Sequence, residues 1–304
     1  MRKIDFHVHV RVDQPLEKTV ANFTEMCRRH GYEGVNSLAW TYDFPEKCNE
    51  VCLKLSKMIP NSHAFCCLLP NEDYASQAER LMGMGFEGIK LIRGGKPSHY
   101  KEYRHLFDDE IYEGLFTLAE EKQYPIIMHN NDPEGNWDIN KVSQKMIARG
   151  WYYDENVPSH QRYFEAVDHV LERHPNLKIA LAHLGFYSEN LDKAFDMMEK
   201  YPNLYMDATP ALNIYEELSR DAKKAETFFR TYHHRIFFGT DATNLLEGYE
   251  REKNDKKNHV VPYFFGGGEP AVLYGLKIHP IHLEPEMLEN IYYNTAMRFL
   301  AKEN

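Results

Sequence analysis

The stretch that decides the fold is IDFHVHV, residues 4–10. Its β-branched and aromatic residues predict a β-strand, in which side chains two positions apart lie on the same face. His7 and His9 therefore share one face, and Val8 and Val10 share the other. In a barrel the histidine face is the interior, where two imidazoles form a ready pair of nitrogen ligands for a metal ion. Two satisfied polar residues on an ordinary strand are the alternative.

Seven further short apolar runs follow, separated by segments with helical periodicity such as 109–122, 163–173 and 285–300. Eight strands with intervening helices predict a (β/α)8 TIM barrel. The rival doubly wound sheet lacks support, because no GxGxxG follows the first strand and no GxxxxGK[ST] occurs. The predicted strands are 4–10, 34–40, 64–69, 88–92, 125–129, 177–183, 204–208 and 235–241.

The size and composition fit a single barrel domain over residues 1–304. The chain has 304 residues, of which 43% are hydrophobic and 27% charged, as in a soluble globular protein. One barrel typically uses about 250 residues, and no proline-rich or serine-rich linker divides the chain. The 36 basic and 46 acidic residues give a formal charge of −10, which argues against nucleic acid or an anionic membrane as a partner.

The cysteines and the N-terminus predict a cytoplasmic protein. The five cysteines form no CxxC pair, and Cys66 and Cys67 lie in an apolar run that predicts buried thiols. The first residues contain no long apolar segment of a signal peptide, and no run is long enough to span a membrane. A homodimer is the commonest assembly for an enzyme of this size.

Single ionisable residues follow three later apolar runs. His129 ends the run PIIM, His183 ends IALA, and Asp241 ends IFFGT. The chemistry of a barrel lies at the C-terminal ends of its strands, whereas the opposite rim serves stability. One such residue would mean little, but the repetition on strands one, five, six and eight predicts an active site.

Two connections are too long for ordinary βα loops. Residues 130–159 follow strand five and are rich in aromatic residues, and residues 242–284 follow strand eight and include the charged run 250–257. Long connections at this end of a barrel lie over the active face, so we expect a lid or a specificity element. For the charged run, a solvent-exposed surface segment or a contact between subunits of an oligomer is an equal alternative.

Several motifs in this order resemble the amidohydrolase superfamily, specifically the amidohydrolase-related branch that includes aminocarboxymuconate semialdehyde decarboxylase. The resemblance extends from residue 4 to about 300, except for the two long connections, and implies a distorted (β/α)8 barrel with a divalent metal, commonly zinc, at the loop end. The motifs are DFHVHV, GFEGIKLI, YPIIMHN, RHPNLKIALAHLG, LYMDATP, IFFGTDA and NIYYNTAMRFL.

The resemblance implies a role for each strand-end residue. His7, His9, His129 and Asp241 match the metal ligands, and His183 matches the catalytic histidine. Three imidazoles and one carboxylate suit a single Zn²⁺, with Mn²⁺ or Fe²⁺ as alternatives. A bound divalent ion lowers the pKa of its water to about 7. His183 would accept a proton from that water or polarise the substrate, and Asp241 is the alternative base.

Other residues suggest how a substrate is held. Arg11 follows the first strand and Arg93 the fourth, where their guanidinium groups would suit a carboxylate, although solvent-facing loop charge is as good a reading. Trp40 and Tyr42 end strand two and are candidates for a pocket wall, although ordinary packing is as good an interpretation. Lys90 lies in the apolar run GIKLI; in some superfamily branches such a lysine is carboxylated and bridges two metals, and in this branch it is structural or faces the substrate.

The sequence therefore predicts a metal-dependent hydrolase, in which water attacks a small carboxylated, amide or ester substrate. The alternative is a lyase that decarboxylates an unsaturated or aromatic acid without oxidation at the same site. A non-enzymatic binding protein is a third reading, which the complete set of site residues argues against.

Overall fold

The computed structural model describes residues 1–40, 44–70, 73–211 and 213–301, so the predicted pocket residue Tyr42 lies outside the described residues. The strands are β1 (Asp5–His9), β2 (Val35–Leu38), β3 (His63–Cys66), β4 (Gly88–Leu91), β5 (Ile126–Met128), β6 (Ile179–Leu181), β7 (Leu204–Asp207), β8 (Ile236–Phe237), β9 (Ala242–Thr243), β10 (Ala271–Leu273) and β11 (Leu276–Ile278). Each of the eight predicted strands is confirmed.

Helices alternate with the strands along the chain. They are α1 (Leu16–His30), α2 (Pro45–Met58), α3 (Tyr74–Gly83), α4 (Pro97–Tyr103), α5 (Glu113–Lys122), α6 (Gln144–Ala148), α7 (His160–Arg173), α8 (Leu191–Lys200), α9 (Ile214–Leu218), α10 (Ala222–Tyr232), α11 (Gly248–Phe265), α12 (Pro285–Glu289) and α13 (Thr295–Leu300). A π-helical turn, Asn290–Asn294, joins the last two helices. No helix among the described residues is both long and apolar enough to cross a membrane.

The strands form a parallel sheet that curls into a barrel. Within the described residues, the sheet order is β8-β7-β6-β5-β4-β3-β2-β1-β9, so every neighbour is also a neighbour in sequence except at the closure. β8 pairs with β7 and β9 pairs with β1, with His9 opposite Thr243. Because β8 and β9 are separated by four residues (238–241), they are two halves of one eighth strand that closes the ring. The predicted (β/α)8 fold is confirmed.

A bulge in β1 places the two histidines inside the barrel. Three steps along β1, from Asp5 to Val8, match two steps along β2, from Val35 to Ser37. The extra residue changes which positions face inward. Phe6 consequently packs in the interior cluster that also contains Phe65, Phe237 and Phe299, while Val8 and Val10 pack in the larger cluster between sheet and helices.

The two long connections differ in structure. Residues 130–159 contain a 3₁₀ turn and the short helix α6, whereas residues 242–284 consist mostly of the 18-residue helix α11 and the hairpin of β10 and β11. The second connection thus contains a long helix and a hairpin and is not an irregular loop. Its helix has no continuous apolar stripe to reveal it, because the buried residues of its first half, Asn254, Lys257 and Asn258, are polar. Only the second half buries apolar side chains, such as Val261 and Phe264.

Candidate metal centre

Three of the predicted metal ligands converge at the C-terminal end of the barrel. The His7 and His9 Nε2 atoms lie 3.2 Å apart, and His9 Nε2 lies 3.4 Å from Asp241 Oδ1. One ligand atom from each of the three residues lies within 4.8 Å of the others. The two histidine side chains are buried and one quarter of the Asp241 side chain is exposed, so the cluster is open on the carboxylate side.

The hydrogen bonds of the two imidazoles show that this cluster fits a cation. His7 Nδ1 lies 2.7 Å from Asp207 Oδ2, and His9 Nδ1 lies 3.0 Å from the Leu38 carbonyl oxygen. Both partners are acceptors, so each Nδ1 carries the hydrogen and each neutral ring has a lone pair on Nε2. Two lone pairs that face each other at 3.2 Å repel unless a cation lies near both. A carboxylate or carbonyl behind each imidazole is also how metal-binding histidines are held.

Burial keeps these rings in the form that binds metal. Desolvation lowers the pKa of His9 to about 3 and holds the pKa of His7 well below its usual range. Nearby Lys90 acts in the same direction on both histidines, since a second positive charge opposes protonation. The imidazoles are therefore neutral at physiological pH.

Asp241 is positioned by a bend between the two halves of the eighth strand. Its φ of 54° is left-handed, and its N–H donates to the His7 carbonyl oxygen at 2.8 Å. The Lys257 ammonium donates to Asp241 Oδ2 at 2.5 Å. Desolvation raises the pKa of Asp241, but Lys257 and the three nearby histidines outweigh it and hold the pKa well below its usual range.

His183 lies beside the three donors on a strained turn. The residues from His183 to Phe186 all have positive φ, an uncommon conformation for residues other than glycine. The His183 N–H donates to Asp207 Oδ1 at 2.7 Å, which fixes the turn to the same carboxylate that holds His7. Its Nδ1 lies 3.2 Å from the Thr209 carbonyl oxygen, so its Nε2 is unprotonated and able to accept a proton. The ring centroids of His183 and His7 are 5.4 Å apart.

His129 belongs to a neighbouring group of polar side chains. Its ring lies 5.3 Å from that of His183, but its Nε2 lies 3.3 Å from Asp132 Oδ1. Asp132 is buried and also accepts hydrogen bonds from Lys96 at 3.4 Å and from Tyr153 at 2.5 Å. His129 is thus close to the three converging donors without being one of them, and its role as a ligand stays a prediction.

Lys90 brings a buried positive charge to the centre. It projects into the barrel from β4, is only 1% exposed, and its Nζ lies 3.5 Å from His7 Nε2. Burial lowers its pKa to about 8, although Asp207 and Asp241 raise it in part. The structure therefore places Lys90 facing the site and not on the outer face of the sheet.

The predicted substrate-binding residues have different positions. The Trp40 ring packs against the His9 ring with centroids 4.4 Å apart, so it forms one wall of the centre. The Arg11 side chain is about half exposed and lies 4.0 Å from Asp13. The Arg93 guanidinium lies 5.8 Å from the centre of the Tyr103 ring. The structure thus brings Trp40 to the site, and substrate contacts of the two arginines stay predictions.

Two functional candidates were missed from the sequence. Asp132 follows His129 by three residues in HNND, a pattern that resembles ordinary loop composition. Lys257 lies in the charged run 250–257, where its neighbours gave no reason to single it out. Asp207, in the motif LYMDATP, accepts a hydrogen bond from His7 Nδ1 and so orients this imidazole.

The fold and the centre define a (β/α)8 barrel protein with a histidine and carboxylate cluster at its strand ends. The chain belongs to the amidohydrolase family, since the sequence model of the family described as Amidohydrolase matches residues 4–302. No match was found among curated proteins.

Solved structures show the same fold at low sequence identity. An amidohydrolase from Burkholderia multivorans with bound zinc is 12% identical, with a TM-score of 0.59 and full coverage of both chains. A putative amidohydrolase from Staphylococcus aureus is 18% identical, with a TM-score of 0.58 and 99% coverage of both chains. A dihydroxybenzoic acid decarboxylase from Polaromonas with bound manganese and 2-nitroresorcinol is 14% identical, with a TM-score of 0.56 and coverage of 98% of this chain and 96% of the other.

Proposed function

We propose that the protein is a metal-dependent hydrolase that acts on a small carboxylated, amide or ester substrate. The observation that carries the proposal is the pair of neutral imidazoles whose Nε2 lone pairs face each other at 3.2 Å beside Asp241. His7, His9 and Asp241 would hold one divalent ion, with His129 as a fourth ligand after it leaves Asp132. Zinc is the expected ion, with manganese or iron as alternatives, and the relatives with bound zinc and manganese support this choice.

The chain's own residues supply the remaining steps. When bound, the ion supplies Lewis acidity to a substrate carbonyl and to water. His183 accepts the proton of the attacking water at Nε2 and returns it to the leaving group. Asp207 holds both His183 and His7, which keeps the base at a fixed position relative to the ligands. Asp241 is a poor base, because Lys257 helps to hold its pKa well below the usual range and its carboxylate therefore has little tendency to take up a proton.

The position of Lys90 supports the proposal that the substrate carries a negative charge. A buried ammonium group beside the centre offers a partner for a carboxylate, in a place where that pair is poorly screened by water. Trp40 would form the wall against which the apolar part of a small substrate packs.

Decarboxylation at the same centre is the second candidate function. Lys90 also favours it, since a cation within the barrel can hold the carboxylate that leaves as CO₂. Two proteins of similar structure are decarboxylases of hydroxylated aromatic acids. One is 2,6-dihydroxybenzoate decarboxylase from Rhizobium, and the other is the dihydroxybenzoic acid decarboxylase from Polaromonas with bound 2-nitroresorcinol. The ligands are the same for both reactions.

A substrate panel separates the two reactions. Metal-stripped protein is reloaded with Zn²⁺ or Mn²⁺ and offered small carboxylated amides and esters, and separately hydroxybenzoates, in H₂¹⁸O. Hydrolysis incorporates ¹⁸O into the product, whereas decarboxylation releases CO₂ without incorporation. We expect His183→Asn to lose activity by about 100-fold or more, while His259→Asn, an exposed residue on α11, retains it. No metal binding and no turnover in either panel would overturn the proposal.

We also propose a cytosolic setting and a homodimer. The five cysteines are free and buried, which supports a reducing compartment. Size-exclusion chromatography with light scattering tests the dimer.

A further inference from the structure

A buried lysine from the second long connection enters the candidate metal centre. Lys257 is 2% exposed, and its ammonium donates to both Asp241 Oδ2 and the Asp241 carbonyl oxygen at 2.5 Å. Within the described residues, its hydrogen bonds both go to Asp241. Burial of a charged lysine is unfavourable unless the charge is paired. The burial of Lys257 therefore depends on its contact with the Asp241 carboxylate.

The helix that carries Lys257 is itself fixed to the barrel. The Asn254 side chain donates to the carbonyl oxygens of Thr243 and Leu245 at 2.9 and 3.0 Å, and its Oδ1 accepts from the Thr243 N–H. One turn further, Asn258 Oδ1 accepts a hydrogen bond from the Tyr32 hydroxyl at 2.5 Å. Asn254, Lys257 and Asn258 therefore form one inward face of α11, at the helical spacing of three and four residues.

Lys257 leaves one oxygen of the carboxylate for the centre. Asp241 Oδ2 is occupied by the ammonium, while Oδ1 faces His9 Nε2 at 3.4 Å. The chain thus provides a positive charge of its own next to a group of donors that suits a cation. A divalent ion held by His7, His9 and Asp241 would share the carboxylate with Lys257, and like charges in a poorly solvated site repel strongly.

We propose that Lys257 is a built-in counter-ion of Asp241, which stabilises the centre without metal and competes with a divalent ion for the carboxylate. Lys257 then sets the metal affinity of the site below what the donors alone would give. The inference rests on the proposed metal site and goes beyond it, because it assigns a regulating charge to α11, which contains none of the motifs that carry the sequence resemblance.

The test measures metal-free stability and metal affinity in Lys257→Met, which keeps the length of the side chain and removes its charge. Lys256→Met is the matched control, since Lys256 is the next residue on α11 and its ammonium lies 3.5 Å from the Tyr274 carbonyl oxygen at the surface. Urea unfolding is followed in EDTA, and Zn²⁺ and Mn²⁺ affinities are measured by competition with a chelating dye. Neither measurement depends on catalytic activity.

We expect two effects of opposite sign in Lys257→Met. The metal-free protein should unfold at lower urea, because Asp241 becomes an unpaired, desolvated charge. The same protein should bind divalent ions about tenfold or more tightly, because the competing ammonium is gone. Lys256→Met should match the wild type in both measurements.

A double variant keeps the test valid if Lys257→Met does not fold without metal. Lys257→Met with Asp241→Asn removes both charges, so its metal-free stability should return towards that of the wild type. Unchanged or weaker metal binding in Lys257→Met refutes the competition, and an unchanged urea midpoint refutes the counter-ion role. Wild-type protein that binds neither ion refutes the proposed function instead, and the urea midpoints then still decide the counter-ion role.

Discussion

The carboxylate of Asp207 organises the candidate centre, and Asp207→Asn is the sharpest test of this reading. Asp207 is fully buried, and its Oδ2 accepts from His7 Nδ1 at 2.7 Å. Its Oδ1 accepts from the His183 N–H at 2.7 Å and from the Thr209 N–H at 3.2 Å. All three partners are donors, so only a group that accepts on both oxygens satisfies them. Asparagine presents one oxygen and one NH₂ group, and the NH₂ must face an N–H whichever way the amide is turned.

The size of the effect follows from these bonds. A hydrogen bond to a charged group contributes about 1.5–3 kcal/mol, and a buried donor without an acceptor costs about 1–3 kcal/mol. We therefore expect Asp207→Asn to lower the free energy of unfolding by about 3–5 kcal/mol. If the amide turns its NH₂ towards His7, the imidazole hydrogen moves to Nε2 and the lone pair is lost from the centre. Loss of such a partner behind a metal-binding histidine typically lowers the metal affinity by about 10–100-fold. We expect a decrease of about this size in Asp207→Asn.

Both effects are measured on metal-stripped protein. Urea unfolding gives the stability, and competition with a chelating dye gives the affinity for Zn²⁺. Asp192→Asn is the control, because this aspartate is 76% exposed and pairs with Lys224 at the surface, where an ion pair contributes less than about 1 kcal/mol. The contrary result is an Asp207→Asn protein that loses as little stability as the control and binds Zn²⁺ as tightly as the wild type. That result would refute the argument that this carboxylate fixes the His7 tautomer.

Three further predictions concern packing, pH and metal. Gly95→Ala should destabilise the protein by about 1–3 kcal/mol in urea unfolding, because an added Cβ would lie 1.9 Å from the His129 carbonyl oxygen; a neutral result contradicts this. Burial raises the pKa of Glu217 to about 7, so the folded state binds the proton of this carboxyl group more tightly than the unfolded state does. The free energy of unfolding should therefore decrease as the pH rises from about 4.5 to about 7, by at most about 3 kcal/mol. Glu217→Gln should flatten that pH dependence, and a parallel curve contradicts it. Zn²⁺ at about 100 times its Kd should raise the free energy of unfolding of the metal-stripped protein by about 2.7 kcal/mol. The same Zn²⁺ concentration should leave the stability of the His7→Ala variant unchanged, and differential scanning calorimetry measures both.

The barrel was predictable because each buried strand is a short apolar run with clear ends. β4, β5 and β6 fall inside the predicted segments, and the ionisable residues at the strand ends marked the active face. The spacing of His7 and His9 was sufficient to predict that they share a face, and their Nε2 atoms are in contact as expected. Strand alternation is local geometry, so it is readable from sequence.

The partners of these residues were harder to predict, because they depend on contacts between distant segments. His129 follows β5 as expected, yet its imidazole turns to Asp132, three residues later. The direction of a side chain at a strand end depends on the polar groups nearby. Here Lys96 and Tyr153, from other parts of the chain, donate hydrogen bonds to Asp132 and hold it beside His129. Position in the fold was therefore predictable and ligation was not.

The helix α11 was not predictable from the sequence, because its buried side chains also depend on contacts with distant segments. Helices are recognised by an apolar stripe, and the N-terminal half of the inner face of α11 instead carries Asn254, Lys257 and Asn258. Those residues are buried because they satisfy groups of the split eighth strand and its surroundings, Thr243, Asp241 and Tyr32. A broken strand exposes backbone and carboxylate groups that an apolar helix could not satisfy. The split that closes the barrel and places Asp241 in the centre thus requires polar residues where α11 covers it, in the N-terminal half of the inner face of this helix. This coupling links the fold of the second connection to the chemistry of the site.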